Sequence, residues 1–186
     1  MHGQDRAVGM LERASQRPGH AYLLVGPRGS GVEHAIRCFA AALIRVTDDE
    51  RSVRLALRGA HPDIVEFEPT TNTYTLANEI REPRGGETYR RDRALPRVIP
   101  EIHRAPIEGN RKVVWLRDAD RMSPEVANAL LKSLEEPPPR TVVLLSTERP
   151  DALLNTVRSR CQRIDFAYVV EAPSAASAAL RAAFGA

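Results

Sequence analysis

Lysine is nearly absent from this chain of 186 residues: of its 27 basic side chains only Lys112 and Lys132 are lysines, and the rest are arginines. With 24 acidic residues the formal charge is +3, which permits nucleic acid or acidic protein as a partner and demands neither. Arginine favours bidentate contacts to phosphate or carboxylate over point-charge contacts, so an interface role stays open. Cysteine is equally scarce. Cys38 and Cys161 lie far apart and form no C-x-x-C pair, which excludes a disulfide framework and a cysteine-built zinc site. No apolar run approaches the roughly 18 residues of a membrane span, and the first residues carry no signal-peptide core. The default expectation is a cytoplasmic protein with no membrane partner. The length suits one α/β domain over residues 1–166, with 167–186 as a tail too short for a second.

One missing lysine matters most. Gly26-Pro27-Arg28-Gly29-Ser30-Gly31 has the glycine spacing of a phosphate-cradling loop, G-x-x-x-x-G-K-[ST], in which backbone N–H groups wrap the phosphates, the lysine neutralises them and the hydroxyl holds Mg²⁺. Here Val32 and Glu33 follow the second glycine. The cation and the hydroxyl are both lost, and the carboxylate of Glu33 adds repulsion where phosphate oxygens would sit. Glycine spacing alone also fits a tight strand-to-helix turn, but the context favours the loop. Ala21-Tyr22-Leu23-Leu24-Val25 reads as a buried parallel strand. Val32, Ala35, Ile36, Phe39, Ala40 and Leu43 then form one helical stripe. Val32 belongs to that stripe, so packing against the sheet is its alternative role.

Ala7, Val8, Leu11 and Ala14 predict a helix over residues 3–17. His61-Pro62-Asp63 reads as a turn, and Ile64 to Glu68 alternates as a strand with one polar face. Residues 69–96 read as an extended loop or irregular hairpin, in which Arg81, Arg84, Arg90, Arg91 and Arg93 form a basic cluster. Val98, Ile99 and Ile102 predict a short helix. Lys112 to Asp118 reads as an apolar strand ending in an acid, where phosphate-binding α/β folds place a Mg²⁺-directed aspartate. Ser123 is an N-cap with Pro124 at the first helical position; the helix carries Val126, Leu130, Leu131 and Leu134 and stops at Pro137-Pro138-Pro139. Thr141 to Leu145 is a further buried strand, ending at Ser146-Thr147. Alternation of this kind implies a parallel sheet covered on both faces.

Four pieces carry a family resemblance: Gly26 to Gly31 after His20-Ala21-Tyr22-Leu23; His61-Pro62-Asp63; Ala127 to Pro138 (ANALLKSLEEPP); and Arg158-Ser159-Arg160-Cys161. From about Gly3 to Phe166 the chain resembles the first domain of bacterial clamp-loader subunits of the AAA+ class, most of all the delta prime family of DNA polymerase III. The resemblance implies a P-loop NTPase-like (AAA+) fold, a parallel sheet flanked by helices. It also implies a place in the DNA polymerase III holoenzyme, whose overall activity is DNA-directed DNA polymerase. The partners implied are gamma/tau and delta subunits and, indirectly, the sliding clamp and primed DNA. Motor subunits of the family keep an intact phosphate loop and an Asp-Glu pair after the third strand. Here Ala119 follows Asp118, a second loss in the same direction, so the isolated chain is expected to be ATPase-dead. Ser146 and Thr147 fall where the family's polar sensor faces the γ-phosphate, and with the loop impaired local hydrogen bonds are their expected use. The four-cysteine zinc module of many relatives is missing between Thr47 and Ala60, so neither zinc nor ATP is expected as a cofactor. The family continues into a helical lid and collar, whereas Ala172 to Ala186 is an Ala-rich tail. The expectation is therefore a fragment or truncated form, with 167–186 a tail or the start of a lid.

The S-R-C motif of this family places its arginine on the ATP of a neighbouring subunit, which makes Arg160 the expected finger, with Ser159 beside it and Arg158 assisting or merely solvated. An arginine supplied in trans can be worth on the order of 10³ to 10⁵ in rate. Against that stands a surface ion pair with Asp165 or Glu148. Cys161 is expected to pack rather than react. Two competing functions remain: a motor-type clamp-loader ATPase with a variant loop, and a DNA-binding module using the arginines of residues 81–93.

Overall fold

The structure, a computed structural model, describes residues 2–44, 50–69, 72–74 and 98–167. Five strands, β1 (Ala21–Val25), β2 (Ile64–Phe67), β3 (Lys112–Leu116), β4 (Thr141–Thr147) and β5 (Gln162–Asp165), form one sheet in the order β2-β3-β4-β1-β5. All four pairings are parallel. The apolar runs of β1, β3 and β4 are buried along their whole length, as expected for strands covered on two faces. Side-chain alternation divides them between two cores. Tyr22, Leu24, Val113, Trp115, Val142 and Leu144 pack with α1 (His2–Gln16), α2 (Val32–Ile44) and α3 (Glu50–Leu57). Leu23, Val25, Val114, Leu116, Val143 and Leu145 pack with α4 (Val98–His103), α5 (Pro124–Glu135) and α6 (Asn155–Arg158). Ser123 caps α5, its hydroxyl accepting from the Val126 N–H at 3.3 Å, with Pro124 at the start.

Adjacent strands β1 and β4 send their following helices to opposite faces, α2 to the first core and α6 to the second. That reversal opens a crevice at the C-terminal edge of the sheet, the place where α/β folds hold ligands.

Three details differ from the sequence reading. Strand β2 has no free polar face: Glu66 binds Arg37 of α2 through both carboxylate oxygens, at 2.5 and 2.9 Å, while Ile64 and Phe67 are buried in opposite cores. Strand β3 ends at Leu116, and Asp118 instead turns the chain in a left-handed conformation (φ 46°, ψ 48°) into a 3-10 turn over Ala119–Arg121; aspartate tolerates that region. In the stretch read as a loop, Tyr74 is buried, its hydroxyl within reach of the carbonyls of Phe67 (2.9 Å) and Arg117 (2.5 Å), so it ties the ends of β2 and β3 together. The arginine cluster of residues 81–93 and the tail from residue 168 lie outside the described residues.

The His-Pro-Asp turn is a clamp. The buried Asp63 carboxylate accepts the N–H groups of Ile107 (2.6 Å), Glu108 (2.8 Å) and Gly109 (2.6 Å), and the His61 ring Nδ1 accepts the Asp63 N–H at 3.0 Å. The loop entering β3 is thereby pinned to the start of β2. Beside it Lys112, one of the two lysines, is buried against Glu101 (3.0 Å) and the Pro62 carbonyl (3.1 Å), and Glu101 also holds Arg104 at 2.5 Å.

Burial by itself would raise the Asp63 pKa, but the N–H groups of Ile107, Gly109 and Glu108, with His61, hold it below the ordinary carboxylate value. A depressed folded pKa contributes stability that is full above the unfolded value of about 3.9 and fades as pH falls through the folded one. Asp63→Ala leaves three donors without their acceptor, and chemical denaturation at pH 7 is expected to show a loss of about 2–4 kcal/mol. Asp63→Asn is expected to flatten the decline of stability below about pH 4 relative to wild type.

Candidate functional site

The phosphate-loop geometry is present. Gly29 and Gly31 adopt φ of 83° and 84°, left-handed values that side-chain-bearing residues seldom take. They fold residues 26–31 between β1 and α2, while the Gly26 N–H bonds the Thr147 carbonyl at 3.1 Å and so fixes the loop to the end of β4. Val32, at the lysine position, is buried in the first core. Its packing role is confirmed, and its side chain offers the crevice no charge.

Glu33, expected to repel phosphate, has a cationic partner. Glu33 pairs with Arg117 at 2.5 Å, just beyond β3, and Arg117 lies over the Trp115 ring with its guanidinium carbon 5.2 Å from the centroid. Burial would lower the Arg117 pKa, but Glu33, with Glu68 and Glu66, raises it. Arg37 lies over the same indole at 5.6 Å, so two guanidiniums, each bound to a carboxylate, border one aromatic ring. The position where a hydroxyl would hold Mg²⁺ is one end of a salt bridge.

Arg28 closes the crevice from the other side. Its guanidinium reaches Asp118 and Glu148, both at 3.2 Å, and its backbone N–H donates to Glu148 at 3.0 Å. A loop N–H, the kind of donor that takes a phosphate oxygen, is here given to the chain's own carboxylate. Asp118 is thus joined to the loop through an arginine. Deeper in, the Thr147 hydroxyl donates to Asp120 at 2.7 Å, and Asp120 also binds Arg149 at 2.6 and 2.9 Å. Burial pushes the Asp120 pKa up, while Thr147 and Arg149 bring it net below the ordinary value. Ser146 accepts from the Trp115 indole N–H at 2.9 Å. Both residues at the polar-sensor position make local bonds.

The arginine turn lies elsewhere. Parallel pairing sets Phe166, which donates to the Val25 carbonyl at 2.7 Å, level with the phosphate loop. Arg160 lies in the turn before β5 and sits at the opposite edge, separated from that level by the four-residue strand, about 13 Å at roughly 3.3 Å per residue. Its partner is Glu135, the last residue of α5, rather than Asp165 or Glu148: Nε donates to Glu135 at 2.6 Å, Nη2 also binds Glu135, and Nη1 donates to the Thr156 carbonyl at 2.7 Å. Asp165 is taken by Arg163 and Glu148 by Arg28. Arg158 binds Asp151 at 2.7 Å together with Asn155, and the Ser159 hydroxyl donates to the Thr156 carbonyl at 3.2 Å. Cys161 packs on the second core, and burial raises its thiol to about 12, so it stays protonated and unreactive at neutral pH. The sequence reading missed Arg117, Arg149 and Glu135. For Arg117 a signal existed, since it shares a strand face with Trp115 at i+2.

Buried and exposed members of this network should separate on mutation. Asp120→Ala strips a mostly buried acceptor from Thr147 and Arg149 and is expected to cost about 1–3 kcal/mol in urea denaturation. Arg28→Ala breaks pairs whose arginine is 71% exposed and is expected to cost less than about 1 kcal/mol.

Comparison with known proteins agrees with the fold and the motifs. Residues 3–169 match the family model described as DNA polymerase III, delta subunit. The delta' subunit of DNA polymerase III from Pseudomonas aeruginosa is 38% identical over 149 residues, covering 76% of this chain and 41% of that protein. The tau subunit from Bacillus subtilis is 31% identical over 173 residues, covering 88% of this chain and 28% of that one. A solved gamma subunit-related protein of DNA polymerase III from Thermotoga maritima superposes with a TM-score of 0.60 at 21% identity over 88% of this chain and 47% of its own, which supports the P-loop NTPase-like (AAA+) fold. The chain spans less than half the length of these relatives. The match over residues 3–169 shows that it belongs to the DNA polymerase III delta subunit family, as a delta prime-like clamp-loader domain.

Proposed function

We propose that this chain is the non-catalytic, delta prime-type subunit of a DNA polymerase III clamp loader, which presents Arg160 to the ATP of a neighbouring gamma/tau-type subunit while the sliding clamp is placed on primed DNA. The observation that carries this reading is the Glu33–Arg117 salt bridge at the Mg²⁺-hydroxyl position, next to a buried Val32. Around the loop, Glu33, Asp118 and Glu148 set three carboxylates against the guanidiniums of Arg28 and Arg117. Arg121 also reaches Asp118, at 3.8 Å, so these carboxylates and guanidiniums are matched one for one, and a triphosphate brings unmatched negative charge to a site with no lysine to receive it. A Mg²⁺-triphosphate does not fit this donor set. The position of Arg160 at the opposite edge of the sheet from the loop supports a trans-acting role over one at this chain's own loop.

The 31% identity to a tau subunit favours the motor-type alternative, and titration separates the two. Trp115 is the single tryptophan and lies against the loop's ion pair, so its emission reports on the site. It is expected to stay unchanged with Mg-ATP up to millimolar concentration, with no retention of labelled ATP; micromolar, Mg²⁺-dependent binding would establish the motor reading instead. In a reconstituted loader, Arg160→Ala is expected to lower clamp- and DNA-stimulated ATP hydrolysis on the order of 10³-fold with assembly intact. Hydrolysis at the wild-type rate removes the trans role.

A further inference from the structure

We infer that Glu135 is a positioning residue for Arg160, an inference that rests on the trans-acting reading of Arg160. A guanidinium on a flexible stem samples many rotamers, and holding it in one place before the partner arrives removes that cost from the reacting complex. Arg160 is held at two acceptors: Nε donates to a Glu135 oxygen, against which Nη2 also lies, and Nη1 donates to the Thr156 carbonyl. Nη1 and Nη2 each carry a second proton, donors of the kind that a phosphate contact uses. The Glu135 carboxylate thus orients the fork through its Nε side.

Both anchors are themselves fixed. Glu135 closes α5, whose Val126, Ala127, Leu130 and Leu134 are buried in the second core and whose start is capped by Ser123. Thr156 belongs to α6, held by the buried Val157. Arg160 is 32% and Glu135 46% exposed, so the pair adds little to stability. Its contribution is geometry. A fold-stabilising role and a positioning role therefore give different results on mutation.

The test uses a reconstituted loader carrying this chain in its complete subunit, with steady-state ATP hydrolysis measured in the presence of clamp and primed DNA. Glu135→Ala is expected to lower kcat about tenfold while KM for ATP, subunit assembly and the melting temperature stay at wild-type values. Glu135→Gln keeps an acceptor for Nε and is expected to recover most of that loss. Glu136→Ala, which removes the adjacent carboxylate, is expected to behave as wild type. If Arg160→Ala abolishes stimulation but Glu135→Ala hydrolyses ATP at the wild-type rate or faster, the positioning role is wrong while the trans role stands. If Arg160→Ala itself has no effect, the underlying reading fails, and the role of Glu135 with it.

Discussion

Between the carboxylate of Glu33 and the face of Trp115 sits the guanidinium of Arg117, and the character of the phosphate-loop edge follows from that contact. As a stabiliser the pair is modest, because Glu33 is half exposed and such pairs are worth at most about 1 kcal/mol. Its consequence is occupancy. The helix position that would offer a hydroxyl to a metal holds a carboxylate already bound to a cation, and the lysine position holds a core valine. Arg28 repeats the pattern across the crevice, where Asp118 and Glu148 take its guanidinium and Glu148 also takes its N–H. The framework of the fold is kept while its charges are satisfied internally.

The two edges of the sheet consequently do different things. At the C-terminal edge a lattice of ion pairs joins the loop, the β3 turn and the end of β4. At the N-terminal edge Arg160 is held by Glu135 and Thr156. Helix α5, 12 residues long and about 18 Å from end to end, runs from one edge to the other with one face buried in the second core. It ties the arginine turn to the sheet.

Much of this was legible in the sequence for physical reasons. Buried parallel strands are continuous apolar runs, so β1, β3 and β4 declared themselves; Ser123-Pro124 and the proline run marked the ends of α5; and the spacing of Gly26 and Gly31 marked the loop. Partners in space were not legible. Nothing in the spacing of Arg28, Glu148, Arg160 and Glu135 says which acid meets which arginine, because with 25 arginines many pairings are open until the strand order is known. The ion pair weighed for Arg160 exists, but with Glu135 in place of Asp165 or Glu148, and the salt bridge of Glu33 was not visible because its partner lies 84 residues away. Strand β2 misled because edge position and burial compete: its alternation is real, yet Arg37 covers the face that looked polar. Tyr74 was hidden in a segment read by its prolines and glycines, where a lone buried aromatic leaves no periodicity.

The most direct measurement is a structure of the assembled loader with Mg²⁺ and a non-hydrolysable ATP analogue. The account expects the analogue's γ-phosphate in the neighbouring subunit within hydrogen-bond distance of the Arg160 Nη atoms, with Glu33 still bound to Arg117 in this chain. Metal-bound triphosphate seated on residues 26–33, with that salt bridge broken, would contradict it.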